Sequence, residues 1–223
     1  MFDDRKVYYS FHDIPNANTA NPYYKEKIGF QFGKKELYHI FIAIGVLTIA
    51  FSFALAPYPA LSNISTVLSY IPMAFLAIVT AFFCHELAHK YMGQKYGYWS
   101  EFRMYPMGLL FALFLGIFTG FIFAAPGAVQ IFGMPNREET GKISVAGPFM
   151  NIVLSIMFTG ISMLSHGLIA SFSFFIAYIN VFLALFNLIP FGMFDGAKIF
   201  AWRKDIWFLM IITGLSLFIF IIL

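Results

Sequence analysis

The chain has 223 residues, 60% of them hydrophobic, 20% aromatic and only 11% charged, where a soluble domain carries about 25% charged residues. That balance excludes an ordinary water-soluble globule, and a net charge of +3 is too small to imply a nucleic-acid partner. A single cysteine, Cys84, excludes an intrachain disulfide framework; in an apolar stretch it reads as a small helix residue.

Residues 1–36 mix Asp3, Asp4, Arg5, Lys6 and Asp13 with aromatics and lack the apolar core of a cleavable signal peptide. They read as a cytoplasmic N-terminal segment, so the first span serves as the targeting signal. Tyr8, Tyr9, Phe11, Tyr23 and Tyr24 suit a segment lying on the membrane surface and one packed on the rest of the chain equally well. Residues 37–223 read as one transmembrane domain. A helix needs about 20 apolar residues to cross a hydrocarbon core of about 30 Å, and such stretches fall at 37–56, 67–91, 143–164, 168–189 and 206–223. The expected fold is an all-α polytopic membrane protein with five transmembrane helices.

A sixth apolar stretch, 107–125, is decided by charge. The 14 Lys and Arg residues fall before the first span, between the second span and Ile143, and just before the last span. Basic loops stay cytoplasmic, which requires an even number of crossings between basic regions. Residues 107–125 are then a re-entrant hairpin, with Gly116, Thr119 and Gly120 near its tip. Irregular backbone at membrane depth survives only against protein or a water-filled cavity, so the hairpin should pack beside the active site. The N-terminus is cytoplasmic and the C-terminus extracytoplasmic. Residues 98–106 and 127–135, aromatic and β-branched between Gly and Pro, predict a small sheet on the cytoplasmic side. His39 and His166 sit at predicted membrane boundaries and read as interfacial residues.

The chemistry lies in His85-Glu86-Leu87-Ala88-His89. Helix positions i and i+4 share a face, so the two imidazoles can bind one Zn²⁺ with Glu86 as general base. Ionisable residues are expensive in an apolar helix and mark function there. A catalytic zinc usually takes a third protein ligand, and the candidate is Asp195 in Asn187-Leu188-Ile189-Pro190-Phe191-Gly192-Met193-Phe194-Asp195-Gly196. Pro190 ends the fourth span, Gly192 and Gly196 allow the chain to turn back, and Asp205 reads as the N-cap of the last helix.

The HExxH motif, the Asn-x-x-Pro-x-x-x-x-Asp-Gly motif and Ala146-Gly147-Pro148-Phe149-Met150-Asn151, in this order and spacing, resemble the site-2 protease family of intramembrane metalloproteases, over roughly residues 37–204. The resemblance implies zinc held by His85, His89 and Asp195, water activated by Glu86, and Asn151 positioning the substrate or stabilising the oxyanion; read by itself, an amide in an apolar helix equally suits a helix–helix hydrogen bond. It also implies that a sheet after the HExxH helix, here around Gly127-Ala128-Val129, receives the substrate as an added strand. The apolar insertion between Pro106 and Pro126 departs from simpler members, and no PDZ-like or CBS domain is apparent.

The expected activity is hydrolysis of a peptide bond within or near a transmembrane segment of a substrate protein, with zinc as cofactor and a cytoplasmic water channel to the site. Since a helical backbone is already hydrogen-bonded, the substrate must unwind locally to be cut. The competing reading is a membrane metal-binding or transport protein, which leaves Glu86 without a task. A membrane protease acting on soluble peptides would need a large water-filled chamber that the short connectors disfavour. Oligomeric state is not legible.

Overall fold

The computed structural model describes residues 29–57, 59–122 and 126–223; the expectations placed on residues 1–28 lie outside them. In chain order the elements are α1 (Lys34–Leu55), α2 (Ile64–Lys95), β1 (Trp99–Met104), α3 (Pro106–Thr119), β2 (Gly127–Phe132), α4 (Arg137–Leu164), α5 (Gly167–Asn187), α6 (Asp195–Trp202) and α7 (Lys204–Ile222). Helices α1, α2, α4, α5 and α7 are long and apolar enough to cross a membrane. Phe41, Leu110, Ile156, Phe208 and Phe220 stand exposed on outer faces, where lipid rather than water suits them.

Helix ends follow local signals. Glu36 reaches back to the Gly33 N–H at 3.1 Å and starts α1. Asn136 and Glu139 form a reciprocal capping box at the start of α4, with bonds of 2.9 and 3.1 Å. The last helix departs from expectation: its N-cap is Arg203, and Asp205 lies in the first turn, drawn onto the Arg203 guanidinium at 2.7 Å from Nε. The charge-assisted bond to the neighbouring guanidinium holds that carboxylate in the first turn.

Among the described residues of the apolar stretch 107–125, the helical ones belong to a single 14-residue helix, Pro106–Thr119, and Gly116 lies inside it. A Cβ at Gly116 would come within 2.5 Å of the Ala50 carbonyl, so this glycine allows α3 to pack directly on α1. The helix stops at Gly120, whose φ of 67° is left-handed. Both ends of the excursion meet: the Tyr105 N–H donates to the Pro126 carbonyl at 2.9 Å, and β1 pairs antiparallel with β2 from Met104↔Gly127 to Trp99↔Phe132.

The two edges of this sheet differ. On β1, the Ser100 carbonyl accepts from Lys90 Nζ at 2.7 Å and Gln94 Nε2 at 3.3 Å. The Phe102 N–H donates to Glu36 Oε1 at 3.0 Å, and the Met104 N–H meets His39 Nδ1 at 3.4 Å. Side chains of α1 and α2 thus seal this edge, and His39 helps hold it. Backbone groups alternate in direction along an antiparallel pair, so Val129, opposite Phe102, points its N–H to the far side of the sheet, as do Gly127 and Ile131. That edge of β2 has no strand partner among the described residues.

Lys90 is 1% exposed and Glu36 0%, paired at 2.9 Å. By sequence Lys90 counts among the basic residues of a cytoplasmic region; in the fold it is a buried strut joining α1, α2 and β1. Glu36→Ala strands a buried ammonium and the N–H groups of Gly33 and Phe102. A loss of about 3–5 kcal/mol is expected, read as a lowered thermal unfolding midpoint in detergent, with Leu37→Ala as the exposed control.

Candidate metal centre

The HExxH helix is irregular just before its motif. Residues Ile78–Phe83 form a π turn, in which the Cys84 N–H bonds back to the Val79 carbonyl, and such turns recur at functional sites. The Ala81 carbonyl of this turn accepts a hydrogen bond from Asn151 Nδ2 at 2.8 Å.

His85 and His89 project from α2 toward α4 and α6. Asp195 reaches them because α5 ends at Asn187, the chain turns through Gly192 with φ of 68°, and α6 begins at Asp195 itself. Gly196 permits the return: a Cβ there would lie 2.1 Å from the Leu188 carbonyl. The Trp207 indole N–H, donating to the same carbonyl at 2.6 Å, ties the broken helix end to α7.

The three predicted ligands converge. His85 Nε2 and His89 Nε2 lie 3.0 Å apart, and Asp195 Oδ2 lies 3.4 and 2.9 Å from them. All three residues are buried. His89 Nδ1 donates to the Ile143 carbonyl at 2.8 Å, and His85 Nδ1 faces Asn151 Oδ1 at 2.6 Å. With both Nδ1 atoms committed as donors, the neutral imidazoles turn two bare Nε2 lone pairs toward each other and toward a carboxylate. Three electron-rich atoms converging in this way offer a site for a cation. The separations match the roughly 3.3 Å edge of a tetrahedron whose bonds are about 2.0 Å long, and the donor set suits zinc.

Gly147 forms the floor of this cradle. A Cβ there would fall 2.3 Å from His89 Nε2 and 2.6 Å from His85 Nε2, which explains the small residue at that point. Asp195 Oδ1 is held by Lys198 at 3.2 Å.

Glu86 stands apart from the three. Its Oε2 accepts from the Val129 N–H on the free edge of β2 at 2.8 Å. A cavity of about 380 Å³ brings together Glu86, the two histidines, Asp195, Val129 and Ile131. A second, apolar cavity of about 460 Å³ adjoins it, lined by Phe51, Ile78, Phe121, Tyr178 and Phe182, and the two share Phe82, Pro126, Leu183 and Phe186.

Asn151 makes the interhelical hydrogen bonds that its amide in an apolar helix suits. It is fully buried behind His85, and its amide is spent on His85, Ala81 and Asn180. Asn180 and Lys198 were not singled out from sequence as site elements, while Gly147 entered only as part of a motif and Val129 only as part of the sheet, without the floor role and the N–H bond seen here. For Asn180 a signal existed, an amide in an otherwise apolar span; a backbone N–H carries none.

Comparison with known proteins fits this geometry. The sequence profile of peptidase family M50 matches residues 157–205. A protein of Methanocaldococcus jannaschii, named as a candidate zinc metalloprotease, is 38% identical over 191 residues, covering 84% of this chain and 93% of its own length. The chain belongs to the site-2 protease family, peptidase family M50. A second relative, from Bacillus subtilis and named in the same way, is 32% identical over 152 residues, covering 59% of this chain and 69% of its own length. No solved structure matches the chain. As a member of this family the protein is an integral membrane zinc metalloprotease.

Gly147→Ala is expected to lower bound zinc from about one equivalent to background in protein that still folds, because the added methyl occupies the space of the ligand nitrogens. Metal analysis beside a thermal melt of the purified variant checks this. Full zinc content in the variant would place the metal elsewhere.

Proposed function

We propose that this M50 protease hydrolyses a peptide bond within or near a transmembrane segment of a substrate protein, with His85, His89 and Asp195 as zinc ligands and Glu86 as general base. The observation that carries the reading is the meeting, in one cavity, of the three-ligand cradle, the Glu86 carboxylate and an unpaired strand edge.

A bundle orientation follows from the charges. Gln31 bonds to Gln94, Tyr98 to Glu139, and Arg137 to the Ala201 carbonyl. These contacts gather the start of α1, the end of α2, the start of α4 and the α6–α7 junction at one end of the bundle, with their basic residues. Assigning that end to the cytoplasm gives five crossings, a cytoplasmic N-terminus and an extracytoplasmic C-terminus. The α3 excursion is then re-entrant: 14 residues reach about 21 Å, short of a 30 Å core, and its two ends meet at the sheet.

The chemistry is shared among the chain's own groups. When bound, zinc acts as a Lewis acid toward water and the scissile carbonyl. Glu86 accepts the proton of the attacking water and delivers it to the departing amine, so the peptide bond breaks without a net change in protonation of the protein. Asn151 fixes the His85 ring, and Ile143 the His89 ring, with Nε2 facing the metal. The free edge of β2 supplies backbone hydrogen bonds to an unwound substrate strand, and the adjoining apolar cavity accommodates its side chains.

Two experiments test this. Glu86→Gln should keep zinc and lose cleavage of a transmembrane substrate by at least about 100-fold, and a chelator should abolish wild-type cleavage. Metal flux in Glu86→Gln, with no peptide cut by the wild type, would overturn the protease reading. Among substrates, a Gly- or Pro-containing transmembrane helix should be cut faster than a polyleucine one; equal rates would remove the unwinding step.

A further inference from the structure

Asn180, in the middle of α5, is 0% exposed in the heart of the bundle, and the metal-binding reading gives it no task. Its bonds have a fixed direction. Nδ2 donates to the Ile176 carbonyl at 2.9 Å and to Thr80 Oγ1 at 3.2 Å. The Thr80 hydroxyl spends its own proton on the Leu76 carbonyl at 2.7 Å, so it accepts from Asn180. The amide of Asn180 cannot flip, because its oxygen would then face the Ile176 carbonyl. Oδ1 therefore accepts, and it does so from Asn151 Nδ2 at 3.0 Å. The other proton on Asn151 Nδ2 goes to the Ala81 carbonyl at 2.8 Å. With both protons donated, Asn151 presents Oδ1 to His85, and Nδ1 of the imidazole must be the protonated nitrogen.

We infer that Asn180 is a positioning residue that acts through Asn151 to hold His85 in the tautomer whose Nε2 is free for the metal. Two backbone carbonyls, of Ile176 and Ala81, set the polarity of the relay, and Thr80 Oγ1 completes it. Without Asn180, one Asn151 proton is left unpaired in a buried site, and only the Ala81 carbonyl opposes an amide flip that would present a donor to His85. The relay spans three helices, and α5 contributes twice: Asn180 steers His85, and the broken end of the same helix leads into Asp195. The inference rests on His85 being a zinc ligand.

The test is a double-mutant cycle read as zinc affinity, by competition with a chromophoric chelator, with thermal melting of the zinc-free protein alongside. Asn180→Leu and Asn151→Ala should each weaken zinc about 10- to 100-fold, the usual effect of removing a ligand's hydrogen-bonded support. The double variant should be no weaker than Asn151→Ala alone, since the effect of Asn180 passes through that residue. Thr80→Val, which keeps shape, should weaken zinc about two- to tenfold, the worth of one hydrogen bond. Unchanged affinity in Asn180→Leu, or equal losses in both backgrounds, overturns the inference, and should Asn180→Leu fail to fold, unchanged affinity in Thr80→Val does so. His85→Ala is the control: full zinc affinity there would instead overturn the ligand assignment.

Discussion

The repulsion between two imidazole lone pairs and a carboxylate oxygen, buried within 3.4 Å of one another, is what a shared cation relieves. That electrostatic constraint organises the molecule. The bundle must bring α2 and the start of α6 to one point, keep the approaching α4 backbone bare at Gly147, and commit both Nδ1 atoms elsewhere. Each condition is met by a specific residue: Gly196 for the return of the chain, Gly147 for the floor, the Ile143 carbonyl and Asn151 for the rings. An apolar environment raises the value of all of these, since a mispointed donor or acceptor finds no water to repair it.

The same rule governs the sheet. Backbone groups at a strand edge need partners, and the fold covers one edge while the other has no strand partner among the described residues. Glu36, Lys90, Gln94 and His39 cover β1. On β2 the Val129 N–H is taken by Glu86. The Glu86 carboxylate and the strand edge are thereby placed within one hydrogen bond of each other, which is what the proposed strand-bound substrate needs. The buried Lys90–Glu36 pair is what makes the asymmetry durable, because it ties the sheet to two helices at once.

The excursion between the strands shows how far charge and length can carry a prediction. Its confinement between adjacent chain points follows from the parity of basic loops, and the Tyr105 to Pro126 bond agrees with that confinement. Its internal form did not follow. Gly116, expected near a tip, lies in mid-helix where α3 meets the backbone of α1, since a glycine demanded by helix packing and one demanded by a turn look alike in sequence.

By itself the sequence determined the five apolar spans, the two strands, the HExxH helix and the aspartate after a proline-broken span, because each is written in local periodicity, residue chemistry or backbone restriction. The tertiary structure alone decided which way buried polar groups point. It placed the Asn151 amide against the back of His85, turned Lys90 from a cytoplasmic charge into an internal strut, and brought Asn180 and the Val129 N–H into the site. The physical reason is that hydrogen-bond direction and burial are properties of residues distant in the chain meeting in space, and no local pattern encodes them.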